Sequence, residues 1–353
     1  MTYFFVLVGT WITSFLCPRK LKINGKNREG EIIYIVFWAI ILVSLCGLRR
    51  YDVGRDTSMY YYTYGVMQKR TSLREVFGSY NYFEYGFYLT EYLISRVFSY
   101  QVFLVLMAAL SIAPCIFLIH KYSPNKFQSV FLYITFPYYT FCMTGIRQAC
   151  AIGIICLAYD AVREKKLVRY LIFVLLAVLF HTSAILFLPV YWINKIPYKK
   201  KTIYLAVAAM IMAYVFKGPL WKLLSVFARQ QYSESDAGGQ MMYLFMILTV
   251  ILGFLFRRSF IGEESDNRGI LYMQVVAAIL WPIASVNPAI ARMYYYYHLF
   301  FILFVPLLIK SIPEWPIRLI VSTGYYGVGI YFLITQILKT SMMLSPYYFF
   351  WQI

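Results

Sequence analysis

Charged residues are scarce in this 353-residue sequence, and so are the motifs by which soluble enzymes bind phosphate or metal. Asp, Glu, Lys and Arg together make up only 14% of the chain. It contains no Gly-rich phosphate loop ending in Lys-Ser/Thr, no His-Glu-x-x-His, no Gly-x-Ser-x-Gly and no Asp-x-Asp. Each of these motifs places the ligands or the nucleophile of a known chemistry. Their absence argues against nucleotide-driven chemistry, and we expect no cofactor and no metal ion.

Cysteine is also scarce. The six cysteines form no Cys-x-x-Cys pair, and all lie in or beside apolar segments. This favours buried small apolar side chains over a disulfide framework or a zinc site. A cleavable signal sequence is not expected, because the apolar stretch 2–17 precedes its basic residues instead of following them.

Apolar residues are abundant instead: 61% of the chain is hydrophobic, 20% is aromatic, and the mean hydropathy is +0.63. A soluble domain could not bury so much apolar surface, whereas lipid can surround it. Since a crossing takes about 20 apolar residues, we predict an all-α integral membrane protein with about ten to twelve transmembrane helices in one domain. The candidate spans are 2–17, 31–48, 101–120, 127–144, 146–162, 167–180, 182–194, 201–216, 241–256, 269–286, 293–311 and 317–338.

Basic residues predict which side of the membrane each loop faces. The formal net charge is +18, from 33 Lys and Arg against 15 Asp and Glu. With the N-terminus outside, the inside loops hold 20 of the 33 basic residues, as the positive-inside rule requires. The positive-inside rule therefore accounts for the positive net charge, and we expect no nucleic-acid partner. The inside loops are 18–30, 120–126, 163–169, 195–201, 257–268 and 310–318.

This orientation requires a hairpin within residues 167–194. Loops 163–169 and 195–201 each carry four basic residues, so an even number of crossings must separate them. Two helices of about 13 residues reach only ~20 Å each, short of the ~30 Å core. We therefore expect paired short helices whose apex, at 180–183, stays below the outer surface. One long tilted span is the alternative, and it would break the charge pattern.

Thirteen basic residues are left on the outer side. Two long extracytoplasmic loops, about 49–100 and 217–240, are predicted there. A second hairpin presents Arg147 and Gln148, and Arg292 precedes a run of four tyrosines. An unpaired Arg near the membrane is costly, and its planar fork matches phosphate geometry. Several such groups facing one cavity would hold a diphosphate, whereas a single one is equally consistent with lipid headgroup contact.

The stretch 47–62 is the most informative part of the first loop. Two interpretations stay open for its charges. Either the arginines face an anionic substrate while the aspartates orient them or bind sugar hydroxyls, or the charges form a local ion-pair network that orders the loop. The charged residues are Arg49, Arg50, Asp52, Arg55 and Asp56.

Acid–base chemistry has three candidates. A lone His in an apolar stretch is more often structural than catalytic. His181, at the expected apex and flanked by Thr182 and Ser183, is a better base candidate than most. Glu84 is set among aromatic residues, which either raises its pKa or calls for an Arg partner. His298 is a weaker candidate.

These residues, in this order, resemble the EpsG family of Wzy-like bacterial polysaccharide polymerases. Four pieces in sequence, over about residues 47–300 and on a matching hydropathy profile, carry the resemblance. They are Arg49-x-x-x-x-Gly54-x-Asp56-x-x-x-Tyr60 with Glu84-Tyr85-Gly86-Phe87, Gly145-Ile146-Arg147-Gln148-Ala149-x-Ala151, Phe180-His181-x-Ser183-Ala184 with Leu188-Pro189, and Ala291-Arg292-Met293-x-x-Tyr296. After about residue 300 only the hydropathy is similar.

The resemblance implies a GT-C-like polymerase architecture and a metal-independent glycosyltransferase. Its donor would be an oligosaccharide repeat unit on undecaprenyl diphosphate, at the outer face of the bacterial plasma (inner) membrane. The growing glycan would pass to a hydroxyl of the next unit, and undecaprenyl diphosphate would leave. The product would be an O-antigen, a capsule or an exopolysaccharide. Membrane lipids, a chain-length-regulating polysaccharide co-polymerase and a flippase are the implied partners.

Under this resemblance the predicted site has two sets of residues. His181 is the first choice of base, with Asp56 and Glu84 behind it. Arg147 and Arg292 would stabilise the charge that develops on the leaving diphosphate. The substrate-binding set is Arg49, Arg50, Asp52, Arg55, Tyr60, Gln148 and Tyr296.

Three alternatives to a polymerase fit part of the pattern. An O-antigen-ligase-type enzyme would use the same donor and a different acceptor. A transporter or flippase for lipid-linked sugars usually shows repeat symmetry and charges at the midplane, whereas the unusual charges here cluster on the outer side. A membrane acyltransferase would place its His or Asp where it meets a cytoplasmic acyl donor, and His181 is expected on the other side.

Overall fold

The computed structural model describes residues 2–16, 29–78, 83–224, 240–257, 267–284 and 292–352. Helices make up 81% of the structure, and the described ranges contain no strand. An isolated bridge joins Arg49 and Phe349. The prediction of an all-α membrane protein is confirmed at this level.

The first part of the chain forms α1 (Thr2–Leu16), α2 (Glu29–Gly47), α3 (Thr57–Lys69), α4 (Leu73–Gly78), α5 (Tyr85–Ser95), α6 (Tyr100–Tyr122), α7 (Lys126–Thr135), α8 (Tyr138–Thr144) and α9 (Ile146–Arg163). The rest forms α10 (Leu167–Phe180), a 3₁₀ helix (Thr182–Phe187), α11 (Val190–Ile193), α12 (Lys200–Val215), α13 (Lys217–Leu224), α14 (Gln240–Leu255), α15 (Asn267–Ala284), α16 (Tyr295–His298), α17 (Phe301–Ser311), α18 (Trp315–Leu338) and a 3₁₀ turn (Thr340–Met342).

Few of these helices have the length and apolarity of a complete span. Within the described ranges, Gly30–Gly47, Tyr100–Tyr122 and Trp315–Leu338 qualify alone, and α12 with α13 qualifies only as one span bent by 87°. Several predicted spans are therefore shorter or broken, because hydropathy averages over a break. Most of the predicted 217–240 loop lies outside the described residues.

The predicted span 127–144 is one of the broken ones. It divides into α7 and α8 at Phe136 and Pro137. Proline has no amide hydrogen and disfavours a helical residue before it. Phe136 accordingly adopts extended backbone, with φ of −79° and ψ of 161°.

The predicted hairpin in 167–194 is present. α10 ends at Phe180, and His181 has extended backbone before the 3₁₀ helix begins. The returning chain then runs back along α10, since Tyr170 donates a hydrogen bond to the carbonyl of Leu188 at 3.1 Å. The Tyr191 hydroxyl donates to the carbonyl of Lys165 at 3.1 Å, so the end of the hairpin lies beside its beginning.

α9 lies at the centre of the bundle. It packs against α6 on one side and α10 on the other, and most of its side chains are buried. Five cysteines are free and buried around it, as expected, and Cys17 lies outside the described residues.

Paired charges mark the end of α9 near Arg163, and we call this group the charge clasp. Lys121 Nζ lies 2.6 Å from Asp160 Oδ1, and Arg169 Nη2 lies 3.6 Å from Asp160 Oδ2. Glu164 pairs with Lys166 and Arg169 at 2.9 Å each. The clasp ties α6, α9 and α10 together within the predicted inside loops.

The C-terminal segment 340–352 returns to the start of the first long loop. The amide of Arg50 donates to the carbonyl of Tyr348 at 2.9 Å. Gly54 forms the turn of this loop with a φ of +100°, and a Cβ there would lie 2.2 Å from the carbonyl oxygen of Met143. Only glycine fits this position, so the loop is fixed against both the C-terminal segment and α8.

Candidate functional site

Glu84 is the centre of the site, and a close helix approach places it there. It precedes α5, whose first turn contains Gly86. A Cβ on Gly86 would lie 2.7 Å from the carbonyl oxygen of Leu179, so α5 meets the end of α10 without a side chain between them. Glu84 therefore lies beside the break at His181.

The Glu84 carboxylate binds two further segments of the chain. One oxygen accepts hydrogen bonds from the amide and the hydroxyl of Thr182, at 3.0 and 3.2 Å. The other accepts from Nη1 of Arg147. His181 Nδ1 lies 3.2 Å from Glu84 Oε1, although it is not aligned as a hydrogen bond. One carboxylate thus joins α5, α9 and the hairpin apex.

These contacts keep Glu84 ionised. Burial opposes ionisation, but the interactions with His181, Arg147 and Thr182 outweigh it and lower the pKa of Glu84 to about 2. A carboxylate held this firmly is suited to orienting its neighbours, and it is poorly suited to taking up a proton.

Arg147 lies in the first turn of α9, where the helix dipole favours anions. Its guanidinium carbon lies 4.0 Å from the centre of the Phe83 ring, and its side chain is 15% exposed. Stacking and the Glu84 ion pair fix the guanidinium plane. Its Nε has no hydrogen-bond partner within the described part of the chain.

Gln148 links the site to the tyrosine run. Its side-chain amide donates to the carbonyl of Arg292 at 2.7 Å, and its Oε1 has no partner among the described residues. The hydroxyls of Ser183 and Tyr296 lie 3.2 Å apart and join the hairpin apex to α16. The predicted fragments around 148, 183 and 292–296 therefore meet.

Arg292 contributes a second guanidinium. It is half-buried and close enough to His181 to act on it electrostatically. No residue in the described ranges forms an ion pair with its side chain. An unneutralised guanidinium at a partly buried position is a candidate anion-binding group.

Tyr60 and Asp56 approach the site from α3. The Tyr60 ring is buried, with its centre 5.5 Å from those of Phe83 and Phe87, and its hydroxyl faces Arg147. Asp56 precedes α3 and makes no side-chain capping bond. Tyr60 thus belongs to the wall behind Arg147, and Asp56 lies one helical turn away along α3.

Arg49 differs from its expected substrate-binding role. Its side chain is completely buried, and it donates to the carbonyls of Val53 at 3.1 Å, Met143 at 3.2 Å and Cys46. A buried guanidinium needs such acceptors, and none of its faces remains open to substrate. The structure gives it the role of ordering the loop.

Arg50 and Asp52 pair with each other, by two hydrogen bonds of 2.7 and 2.8 Å. Arg50 also lies over the ring of Tyr348, 4.2 Å from its centre. This matches the ion-pair interpretation of the stretch 47–62. Arg55 is exposed, and no contact joins it to the Glu84 group among the described residues.

His298 is a structural residue. It is fully buried, and its Nδ1 lies 2.6 Å from the hydroxyl of Tyr138. The described residues contain no cluster of three side chains suited to a metal ion. The expectation of metal-independent chemistry stays a prediction.

Sequence reasoning missed three contributors to the site. Phe83 supports Arg147, and Thr182 holds Glu84. Glu91 is a completely buried carboxyl on α5 that accepts a hydrogen bond from Thr63 at 2.9 Å. Burial raises the pKa of Glu91 to about 8. No local pattern in the sequence marks Glu91, because the packing of α3 against α5 buries it.

Comparison with known proteins gives one match. The model of the EpsG family covers residues 32–349. No curated protein and no solved structure matches the chain. The covered range includes every residue of the site.

Proposed function

The chain belongs to the EpsG family, and from that premise we propose that it polymerises a polysaccharide on the outer face of the bacterial plasma membrane. The family comprises polysaccharide-polymerase-type membrane proteins. The proposed reaction transfers a glycan from undecaprenyl diphosphate to a hydroxyl of the next lipid-linked repeat unit. It needs no metal, and it would serve O-antigen, capsule or exopolysaccharide synthesis.

One observation carries the proposal: Glu84 joins Arg147 and His181 beside Arg292, which forms no ion pair with any described residue. A histidine next to a fixed carboxylate is the arrangement of an oriented general base. Two guanidiniums near it supply the charge that a leaving diphosphate requires. The same small volume therefore offers a proton acceptor and an anion-binding pair.

His181 is the base in this mechanism. With Nδ1 beside Glu84, Nε2 takes the proton of the acceptor hydroxyl as its oxygen attacks the anomeric carbon. The bond from that carbon to the diphosphate oxygen breaks, and Arg147 and Arg292 stabilise the departing undecaprenyl diphosphate. Glu84 orients His181 and Arg147, since a carboxyl with a pKa of about 2 is a poor base.

The position of the site supports an outward orientation. The charge clasp lies at one end of α9 and Arg147 at the other. The 18 residues of α9 span roughly 27 Å at 1.5 Å per residue, close to the thickness of the hydrocarbon core. With the basic end inside, the site faces the extracytoplasmic side.

The GT-C-like architecture with about ten to twelve spans belongs to the same proposal. Support comes from short apolar helices such as α1, α10, α14 and α17, which would complete crossings in pairs or with neighbouring segments. Membrane lipids, a co-polymerase that regulates chain length and a flippase are the proposed partners.

Complementation of a strain that lacks its own polymerase tests the function. The strain receives the wild type, Arg147→Ala, Arg292→Ala, His181→Ala or, as a matched control in the charge clasp, Arg169→Ala. Lipopolysaccharide or capsule is then resolved on a gel. We expect a ladder from the wild type and the control, and a single capped unit from the three site variants.

Other outcomes identify what is wrong. If the null strain shows no repeat unit outside the cell, export is the missing step and a transporter function replaces the proposal. If His181→Ala keeps a full ladder, the polymerase assignment survives and the choice of base does not. A wild type that gives no ladder in a strain with exported units refutes polymerisation.

A further inference from the structure

Two tyrosines on the outer loop form a stacked pair that the mechanism does not use. The rings of Tyr51 and Tyr61 have centres 4.8 Å apart and an interplanar angle of 27°. Each side chain is about half exposed, at 48% and 49%. One face of the stack therefore remains open to solvent or ligand.

The stack is held by rigid neighbours. The edge of the Tyr100 ring meets Tyr61, with centres 5.0 Å apart, and the Tyr100 hydroxyl donates to the carbonyl of Thr57 at 3.2 Å. Tyr51 follows Arg50, whose amide is bound to the C-terminal segment. Both rings are thus fixed before any ligand arrives, which lowers the entropy lost on binding.

Two polar side chains lie between the tyrosines in the sequence, Arg55 four residues after Tyr51 and Asp56 five residues before Tyr61. Arg55 is exposed and Asp56 is half-buried, and neither side chain has a hydrogen-bond or ion-pair partner in the described ranges. A guanidinium and a carboxylate together donate to and accept from hydroxyl groups. An aromatic face is electron-rich and attracts the C–H groups of a sugar ring. The combination suits a saccharide better than a purely apolar ligand.

Contact with lipid headgroups is the competing explanation, since tyrosines are common at membrane interfaces. Tyr62, on the same helix, fits that explanation: it is 71% exposed and makes no ring contact within the described residues. The Tyr51–Tyr61 pair differs, because each ring is immobilised by another ring. This contrast gives a matched control.

The stack and the reaction site are both contacted by side chains of α3. Tyr60 and Tyr61 are consecutive on α3, and Tyr60 faces Arg147 while Tyr61 faces the exposed side. A helix with its side chains is about 10–12 Å across. A glycan with its reacting unit at Arg147 would need to extend by about one helix width to contact the stack.

We propose that Tyr51 and Tyr61, with Arg55 and Asp56, form a saccharide-binding subsite that holds the glycan next to the reacting unit. This rests on the proposed polymerase function for the identity of the ligand. Stacking on the tyrosines supplies affinity for many kinds of sugar. The two charged side chains orient the hydroxyl groups of the bound sugar.

Saturation-transfer NMR with the protein in nanodiscs tests the subsite. The probe is the repeat-unit oligosaccharide purified from the host strain and freed of its lipid. We expect Tyr51→Ala and Tyr61→Ala to bind it about tenfold more weakly than the wild type. Tyr61→Phe should retain most of the binding, and Tyr62→Ala should match the wild type.

Three results would overturn the proposal: a wild type that does not bind the oligosaccharide, equal binding by Tyr61→Ala and Tyr62→Ala, or a loss that affects only the yield of membrane-inserted protein. The last would assign the stack to the lipid interface. A wild type that binds the oligosaccharide and gives no ladder refutes the polymerase and leaves the subsite standing. If the variants elute at the same volume and melt at the same temperature as the wild type, misfolding is excluded.

Discussion

The two ends of α9 hold their charges in different ways. At the charge clasp, Asp160 is surrounded by Lys121, Arg169 and the hydroxyl of Tyr122, which lies 2.6 Å away. At the other end, Glu84 is equally well bonded, but the groups around it are not. Arg147 Nε and Gln148 Oε1 have no partners, and the Arg292 guanidinium is unpaired, within the residues described.

Under the proposed function, this difference separates charges that stabilise the fold from charges that bind the substrate. Buried polar groups are almost always bonded, so clustered exceptions call for an explanation. In the clasp, each of the two carboxylates is paired with at least two basic side chains. The other end holds its central carboxylate rigid and leaves a buried donor and a buried acceptor without partners among the described residues, beside a guanidinium that no carboxylate there neutralises.

Glu84→Gln is expected to have the largest effect on the reaction. Gln keeps the shape and loses the charge that holds Arg147 and orients His181. We expect polymer formation per folded molecule to fall at least 100-fold, comparable to removing a group that stabilises a transition state. The measurement is incorporation of labelled repeat units in inverted membrane vesicles loaded with lipid-linked substrate. Activity within threefold of the wild type would contradict the role of Glu84.

Arg292→Lys is expected to have the next largest effect on polymer formation. Lys keeps the positive charge and loses the planar fork that matches a phosphate, so we expect about a tenfold loss, roughly 1.4 kcal/mol. Arg169→Lys in the charge clasp is the control and should stay near wild-type activity. Equal losses in the two variants would mean that Arg292 acts only through stability.

The sequence carries enough information to predict how the site assembles. The resemblance to the EpsG family implied that Glu84, Arg147, His181 and Arg292 belong to one site. Glu84 does contact Arg147 and His181, and Arg292 acts electrostatically on His181. The hairpin also followed from the charges on either side of it. These features depend on local patterns and on crossing parity, both of which are written in the sequence itself.

Two features could not be predicted, for physical reasons. Arg49 and Arg55 lie six residues apart in one loop, yet Arg49 is buried and Arg55 is exposed. Burial of Arg49 depends on Met143, 94 residues away, which only the tertiary fold provides. Likewise, no local pattern distinguishes Glu91 as buried, because its neighbours on α3 come from a distant part of the loop.

Asp160→Asn should affect stability more than reaction rate. It leaves Lys121 and Arg169 without their shared carboxylate and weakens charge-assisted hydrogen bonds, at a cost of about 1.5–3 kcal/mol. We expect a fall of several degrees in the melting temperature of the detergent-solubilised protein. Activity per folded molecule should stay near that of the wild type. A large loss of activity at unchanged melting temperature would mean that the clasp is coupled to the site.

Glu91→Gln is expected to have the smallest effect on polymer formation. It compares Glu91 with Glu84, another buried carboxyl, seven residues before it. Because burial raises the pKa of Glu91 from 4.5 to about 8, the native state binds a proton that the unfolded state releases between these values. This contribution to stability is complete below pH 4.5 and is lost as the pH rises through about 8. Gln mimics the neutral acid and has no proton to lose.

The melting temperature of Glu91→Gln should therefore fall less than that of the wild type between pH 5 and pH 8.5, and polymer formation at pH 7 should change less than threefold. Thermal unfolding followed by intrinsic fluorescence over this pH range measures the first expectation, and the vesicle assay measures the second. Glu84 immediately precedes α5 and Glu91 lies seven residues further on within it. The same substitution would then strongly reduce function at one position and be tolerated at the other. A Glu91→Gln variant as inactive as Glu84→Gln would show that the working form of Glu91 is charged, and would extend the reactive end of α9 to include it.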